Sequence, residues 1–328
     1  MMASVLLIFG CLALGLWKLS GEIFFLYNFS IIGLSLALGM GLWPLLSKRN
    51  RPWARRVSQL LVGAYAFFGL GMGLIYLGFG FIAPENMQIE GFWFLLFTGI
   101  CLGCVLHYLI AKVIGPVLFG RGFCGWACWT AAVLDLLPWK RSPKRTKRRW
   151  EWLCYLHFAI SLVVVATLMF GFGQTFRGHM GVVRYGATIP FSFKEYPSMF
   201  QIPELWWFLI GNLIYFSSAI ILAAILRDNR AFCKYLCPIA VFLKASSSIS
   251  VMRIKAVPDK CNDCGLCSEN CPMDIDLRKY IAGGKRILSN ECIACLTCTS
   301  VCPKGALKIS MGFDFATSGH LQRQGSGN

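Results

Sequence analysis

Carboxylates are scarce in this chain of 328 residues. It has 15 Asp and Glu against 32 Lys and Arg, and all charged residues together make up only 14%. Soluble domains carry about 25% charge, so a soluble globule is set aside. Histidine is almost missing, with four in the chain. No Cys-x-x-Cys-His occurs, which removes covalently attached c-type haem. The apolar runs contain almost no Asp or Glu, which ranks an ion-translocating subunit last, because that path needs paired carboxylates inside the membrane. The first apolar run, 3–19, has no basic lead-in and no small-residue cleavage box after it. It reads as a short span and not as a signal peptide. Leu7-Ile8-Phe9-Gly10-Cys11 is only a faint match to a lipoprotein box.

What the chain has in abundance is apolar sequence: 56% of its residues are hydrophobic. Runs at 3–19, 23–47, 57–83, 91–119, 152–172 and 203–226 predict about six transmembrane helices. Residues 1–252 hold 22 Lys and Arg against 8 Asp and Glu, mostly in short loops, while the remaining 76 hold 10 against 7. The net charge of +17 is therefore a membrane-topology signal and not a nucleic-acid footprint. Basic clusters follow the second, fourth and sixth runs: Lys48, Arg49, Arg51, Arg55 and Arg56; then Lys140 to Arg149; then Arg227 and Arg230. The positive-inside rule puts these loops, the N-terminus and the C-terminal unit in the cytoplasm. Attraction to anionic lipid head groups is compatible with the same block. The expected organisation is an all-α membrane domain over 1–250, an α+β unit over 251–310 and a disordered tail over 311–328.

The most specific stretch lies in that unit. Cys261-x2-Cys264-x2-Cys267-x3-Cys271-Pro272 is repeated as Cys292-x2-Cys295-x2-Cys298-x3-Cys302-Pro303. Two rows of four cysteines at this spacing are the bacterial ferredoxin pattern for two [4Fe-4S] clusters. Each tight loop supplies three thiolates and the far row the fourth. The expected sets are Cys261, Cys264, Cys267 and Cys302 for one cluster, and Cys292, Cys295, Cys298 and Cys271 for the other. A zinc site would use paired Cys-x2-Cys units instead, and cluster thiolates need a reducing compartment.

A second repeat lies nearer the membrane. Arg121-Gly122-Phe123-Cys124-x3-Cys128 and Arg230-Ala231-Phe232-Cys233-x3-Cys237 share Arg-x-Phe-Cys-x3-Cys, each just past the end of an even-numbered run. On a helix, i and i+4 share a face, so each pair can present two thiolates to a further iron-sulfur or metal centre. The arginines favour the thiolate form. A redox dithiol and plain packing stay open as alternatives. Among the other candidates, His107 and His157 are intramembrane histidines with a quinone-facing or helix-bonding role. They differ in depth by about seven residues, roughly 10 Å, which disfavours a shared haem. Cys11, Cys101, Cys104 and Cys154 read as packing residues. Arg177, His179 and Arg184 read as a solvated outer connector that could dock an anionic partner or line a quinol pocket.

Several spans, two cytoplasmic Cys-x3-Cys motifs and a C-terminal double ferredoxin together resemble the NapH/NosR/MauN-type membrane polyferredoxins over roughly 91–308. Cys233-Lys234-Tyr235-Leu236-Cys237-Pro238 fits the family's C-x3-C-P pattern; Cys124-Gly125-Trp126-Ala127-Cys128 departs from it, with Trp129 in place of proline. Without a flavin-attachment domain before the spans or an immunoglobulin-like tail after the ferredoxin, the chain looks like the family's core. The resemblance implies a bacterial inner-membrane protein moving electrons between the quinone pool and a partner oxidoreductase. The alternative is an assembly or maturation factor that reduces a metal or thiol for a client respiratory enzyme.

Overall fold

The structure, a computed structural model, describes residues 2–21, 23–74, 88–98, 107–139, 150–171 and 202–314. It is mostly helical. Helix α1 (Met2–Ser20) and helix α2 (Ile23–Leu45) form an antiparallel pair joined through Gly21, whose φ of +74° suits a residue without a Cβ. These two and Phe208–Leu226 are long and apolar enough to cross a membrane, at 19, 23 and 19 residues. Such lengths give about 28–35 Å of helix against roughly 30 Å of hydrocarbon. The shorter apolar helices are Leu109–Phe119 and Leu153–Leu168.

Two sequence expectations change here. The run 91–119 is not one straight helix. Phe92 stacks on Tyr108 with ring centroids 4.7 Å apart, whereas 16 residues of continuous helix would separate them by about 24 Å. The helix Ile89–Thr98 instead runs beside Leu153–Gly171, with Trp93 on Phe158 and Phe97 on Phe170. The basic clusters are also not wholly solvated loops. Helix α3 (Arg51–Ala64) buries Ala54, Arg55, Ser58, Gln59 and Val62 along one face, and Arg121 and Arg230 are fully buried. Each of these three arginines is held by a carboxylate, so sequence position alone overstated their exposure.

The C-terminal unit closes with an antiparallel pair, β1 (Met252–Ala256) and β2 (Leu307–Met311), in register Met252↔Met311 to Ala256↔Leu307. The two cysteine rows are thus bracketed by one two-stranded sheet. Residues 311–314, placed by the sequence in a disordered tail, are held in the C-terminal unit. Met311 is in β2, and Asp314 is held by Arg286 at 2.9 Å and Arg253 at 3.2 Å. Residues 315–328 lie outside the described residues. One apolar core runs through Trp43, Cys124, Trp126, Leu243, Ile254, Cys271, Ile293 and Cys295. It joins the helical part to the C-terminal unit without a break.

Candidate iron-sulfur centres

Both Arg-x-Phe-Cys-x3-Cys copies fold alike. Short helices Gly122–Trp126 and Ala231–Tyr235 follow Arg121 and Arg230. The Phe123 carbonyl accepts from the N–H groups of Ala127 and Cys128 at 2.9 and 3.0 Å; the Phe232 carbonyl accepts from Leu236 and Cys237, both at 2.9 Å. Two donors on one carbonyl close the helix before the second cysteine. The pairs therefore do not lie along one continuous helix face, as i,i+4 spacing suggested. Trp129 opens the next helix, Trp129–Leu134, so the turn survives without the proline found at Pro238.

Arg227, at φ 50°, reverses the chain after Leu226. Phe232 and Cys233 then pack on Ala219 and Tyr215 of the preceding helix. Those residues lie seven and eleven positions before Leu226, about 10–16 Å back along the axis. The second motif is folded alongside its helix, not beyond its end. As a result Cys124, Cys128, Cys233 and Cys237 line a single cavity of about 40 Å³.

The electrostatics of this cavity suit an inserted cationic core. Burial pushes the Cys128 thiol up to about 12, and the Cys124 and Cys233 thiols add to the shift. Burial and the other three thiols likewise raise Cys237. Four neighbouring thiols cannot all ionise in an apolar cavity unless positive charge sits among them. Arg230 donates to the Cys124 carbonyl at 3.2 Å and reaches Cys233 Sγ at 3.9 Å. Arg121 gives Nη1 to Glu291, while its Nε and Nη2 are buried with no hydrogen-bond partner among the described residues. Lys112, also buried, lines the same cavity over the Phe123 ring. Two unfilled guanidinium donors beside four thiols fit a sulfide- and thiolate-bearing cluster. Among the described residues, no three His, Cys, Asp or Glu side chains are gathered closely enough for a single metal ion.

Cys271, Cys292, Cys295 and Cys298 line one cavity. Burial, with the neighbouring Cys295, raises Cys271 to about 12 and outweighs backbone N–H groups of Ile275 and Met273 that favour its thiolate. Burial raises Cys292 to about 11 against the Ala294 N–H. Of the other set, Cys302 stands near enough to Cys267 to raise it, after burial. Cys261 accepts from Asp263 N at 3.4 Å, and Cys302 from Ala306 N at 3.2 Å. Cys264 is exposed. Cys298 also feels Cys267, so the two sets adjoin.

The loops share one backbone device. Two and four residues beyond the first cysteine of each row the chain is left-handed: Asp263 (φ 51°) and Gly265 (φ 75°), then Ala294 (φ 49°) and Leu296 (φ 58°). Alternation of this kind turns successive N–H groups into a concave nest for an anionic group, as at iron-sulfur sites.

The membrane-proximal cavity is joined directly to the Cys271/Cys292/Cys295/Cys298 set. Glu291, next to Cys292, is buried and pairs with Arg121 and with Lys244 at 2.7 Å. Trp126 Nε1 donates to the Ala294 carbonyl at 2.9 Å. Gly125 lies against the Ile293 carbonyl so closely that any Cβ would overlap it. Lys234, inside the second Cys-x3-Cys, bridges Asp228 and Asp274, each at 2.5 Å, and Asp274 is three residues past Cys271. Asp135 braces both copies, pairing with Arg55 and Arg230 at 2.7 Å.

Sequence reasoning passed over Lys112, Asp135, Lys234 and Glu291. The scarcity of charge in the whole chain, 14% of residues, was the signal that these few are paired and placed. His157 does belong to the site: its Nδ1 donates to the Leu236 carbonyl at 2.8 Å, within the second motif. His107 does not line the cavity; it stacks on Phe29 at 6.5 Å. Cys11 is exposed on α1, and Cys154 is buried 4.0 Å from Lys244 Nζ. Cys101, Cys104, Arg177, His179, Arg184 and the basic block 140–149 lie outside the described residues.

Comparison with known proteins agrees with this geometry. The 4Fe-4S dicluster domain family matches residues 253–303. A 4Fe-4S binding domain family matches twice, over 105–148 and 209–256, once on each Cys-x3-Cys copy. An uncharacterized protein of Methanocaldococcus jannaschii is 28% identical over 63% of this chain and 72% of its own length. The ferredoxin-type protein NapH of Haemophilus influenzae is 26% identical over 65% of this chain and 69% of its own. The methylamine utilization ferredoxin-type protein MauN of Methylorubrum extorquens is 26% identical over 73% of this chain and 76% of its own. No solved structure matches the chain.

Proposed function

The chain belongs to the NapH/NosR/MauN-type membrane polyferredoxins, an iron-sulfur electron-transfer family, and on that premise we propose that it carries electrons between the quinone pool and a partner oxidoreductase. In this reading the apolar helices lie in the bacterial inner membrane, with the N-terminus and the ferredoxin unit in the cytoplasm. Cys124, Cys128, Cys233 and Cys237 hold a third, membrane-proximal cluster. Cys271, Cys292, Cys295 and Cys298 hold the inner ferredoxin cluster, and Cys261, Cys264, Cys267 and Cys302 the outer one.

The observation that carries the reading is the convergence of four cysteines, from motifs 109 residues apart in sequence, on one cavity whose walls continue into the Cys292 and Cys271 loops. A bound cluster would supply reversible one-electron storage. The protein's own part is to hold the sites in van der Waals continuity, exclude water and compensate thiolate charge with Arg121, Arg230 and Lys112. The exposed Cys264 favours the outer cluster as the exchange point with the partner. Its test is redox titration followed by electron paramagnetic resonance. Three interacting signals support the wire. Two signals with no effect of replacing Cys124 and Cys233 refute it.

A further inference from the structure

Resting on the membrane-proximal cluster proposed above, we infer that Arg121 donates directly to that cluster and sets its reduction potential, while Arg230, its counterpart in the repeat, braces the ligand loops. The two arginines hold the same place in Arg-x-Phe-Cys-x3-Cys, yet the fold uses them differently.

Gly120, at φ 60°, ends the helix Gly115–Phe119, and its N–H donates to the Pro116 carbonyl at 2.9 Å. That angle suits a residue without a Cβ. The next side chain, Arg121, is fully buried and lines the four-cysteine cavity. Its Nη1 donates to Glu291, which also pairs with Lys244 at 2.7 Å. A guanidinium is planar and carries five N–H donors. Holding Nη1 therefore fixes where Nε and Nη2 lie. Of the described residues that line the cavity, only Arg121 keeps buried donors with no partner among the described residues. A buried donor left unfilled is costly and calls for an acceptor. Burial disfavours the Arg121 charge, but Glu291, then Cys124, Cys237 and Cys233, more than restore it. Its guanidinium thus faces thiols of both motifs.

The other two cations are engaged elsewhere. Arg230 gives Nε and Nη2 to the two oxygens of Asp135 at 2.9 and 2.7 Å. Its Nη1 holds the Cys124 carbonyl at 3.2 Å and approaches Cys233 Sγ no nearer than 3.9 Å. Lys112 Nζ lies 2.8 Å from the centre of the Phe123 ring. Reduction adds one negative charge to an iron-sulfur cluster. A donor to its sulfur stabilises the reduced form more than the oxidised form and so raises the potential. Glu291 already answers the charge of Arg121, so the two directed donors carry the effect.

Arg121→Lys tests this, because it keeps a cation for Glu291 and loses the planar pair of donors. The full-length protein, purified anaerobically in detergent, is titrated with dithionite and followed by electron paramagnetic resonance. The signal that depends on Cys124 and Cys233 should become harder to reduce in R121K. The expected change is about tenfold in the equilibrium constant, the scale of one lost charge-assisted bond, or about 59 mV for one electron. Iron content and the outer-cluster potential should stay as in wild type. Labelling with 15N-arginine gives an independent reading by electron-nuclear double resonance. A 15N coupling to the same signal should be present in wild type and in R230K, and absent in R121K. If R121K does not fold, survival of the coupling in R230K still assigns it to Arg121, and its loss there overturns the assignment. An unchanged potential in iron-replete R121K, or no arginine coupling in wild type, would overturn this inference and leave the membrane-proximal cluster standing. A wild type without any signal that depends on Cys124 and Cys233 would overturn both.

Discussion

Ala294 and Leu296 hold left-handed backbone angles, φ 49° and 58°, without being glycine. That conformation costs an L residue about 1–2 kcal/mol. Ala294→Gly should relieve the strain and keep the inner cluster, whereas a β-branched Ala294→Val should lose it. Iron content of the purified variants checks both. Glu291 is the second decisive residue. It accepts from Arg121 Nη1 and also pairs with Lys244 in the core. Glu291→Ala leaves two buried cations without that partner and should lower unfolding stability by about 3–5 kcal/mol, read from denaturant unfolding in detergent. Asp135 gives a pH-dependent counterpart. Burial raises its carboxyl, but Arg230 and Arg55 outweigh burial and hold it below the ordinary value. A depressed carboxyl stabilises above the unfolded value of about 3.9 and loses that stabilisation as pH falls through the folded value. Wild type should therefore weaken below about pH 4. Asp135→Asn should be less stable at neutral pH and show a shallower acid decline, measured by unfolding from pH 7 to pH 3.

At the scale of elements, the two Cys-x3-Cys loops tie the helices to the ferredoxin unit. Each carries its cysteines on one side and a contact to the ferredoxin unit on the other: Gly125 and Trp126 in the first, Lys234 in the second. Gly125→Ala forces a Cβ into the Ile293 carbonyl. It should push the loops apart at a cost of about 1–3 kcal/mol. Spin-spin coupling between the membrane-proximal and inner clusters should weaken while both clusters remain. The repeat itself was legible from Arg-x-Phe-Cys-x3-Cys, because ligand spacing is a local property. Its fold was not. The i,i+4 argument assumed a helix through both cysteines, but one carbonyl captures two N–H groups and ends it. The depth of the second motif was hidden for a similar reason. Arg227 turns the chain back beside its own helix, and nothing in the residue pattern marks a non-glycine reversal there.

Across the whole molecule, the ferredoxin unit is built into the membrane-proximal part by buried ion pairs and one shared core. Composition disclosed the apolar runs and the cysteine rows, both of which are linear signals. It misjudged the basic residues, since Arg55 and Arg230 read as topology markers and are also buried braces. Glu90 fell just outside the run assigned as the fourth span, and its bond to Tyr215 joins positions 125 apart in sequence, which no local pattern marks.

The central claim is that a third cluster sits at Cys124, Cys128, Cys233 and Cys237. Iron and acid-labile sulfide per chain, measured with electron paramagnetic resonance of the reduced protein, test it most directly. Two [4Fe-4S] clusters account for about eight irons. We predict an excess above that, with its own resonance, that disappears in the Cys124→Ser/Cys233→Ser double variant while the two ferredoxin signals persist. About eight irons in wild type, unchanged in the double variant, would contradict the account.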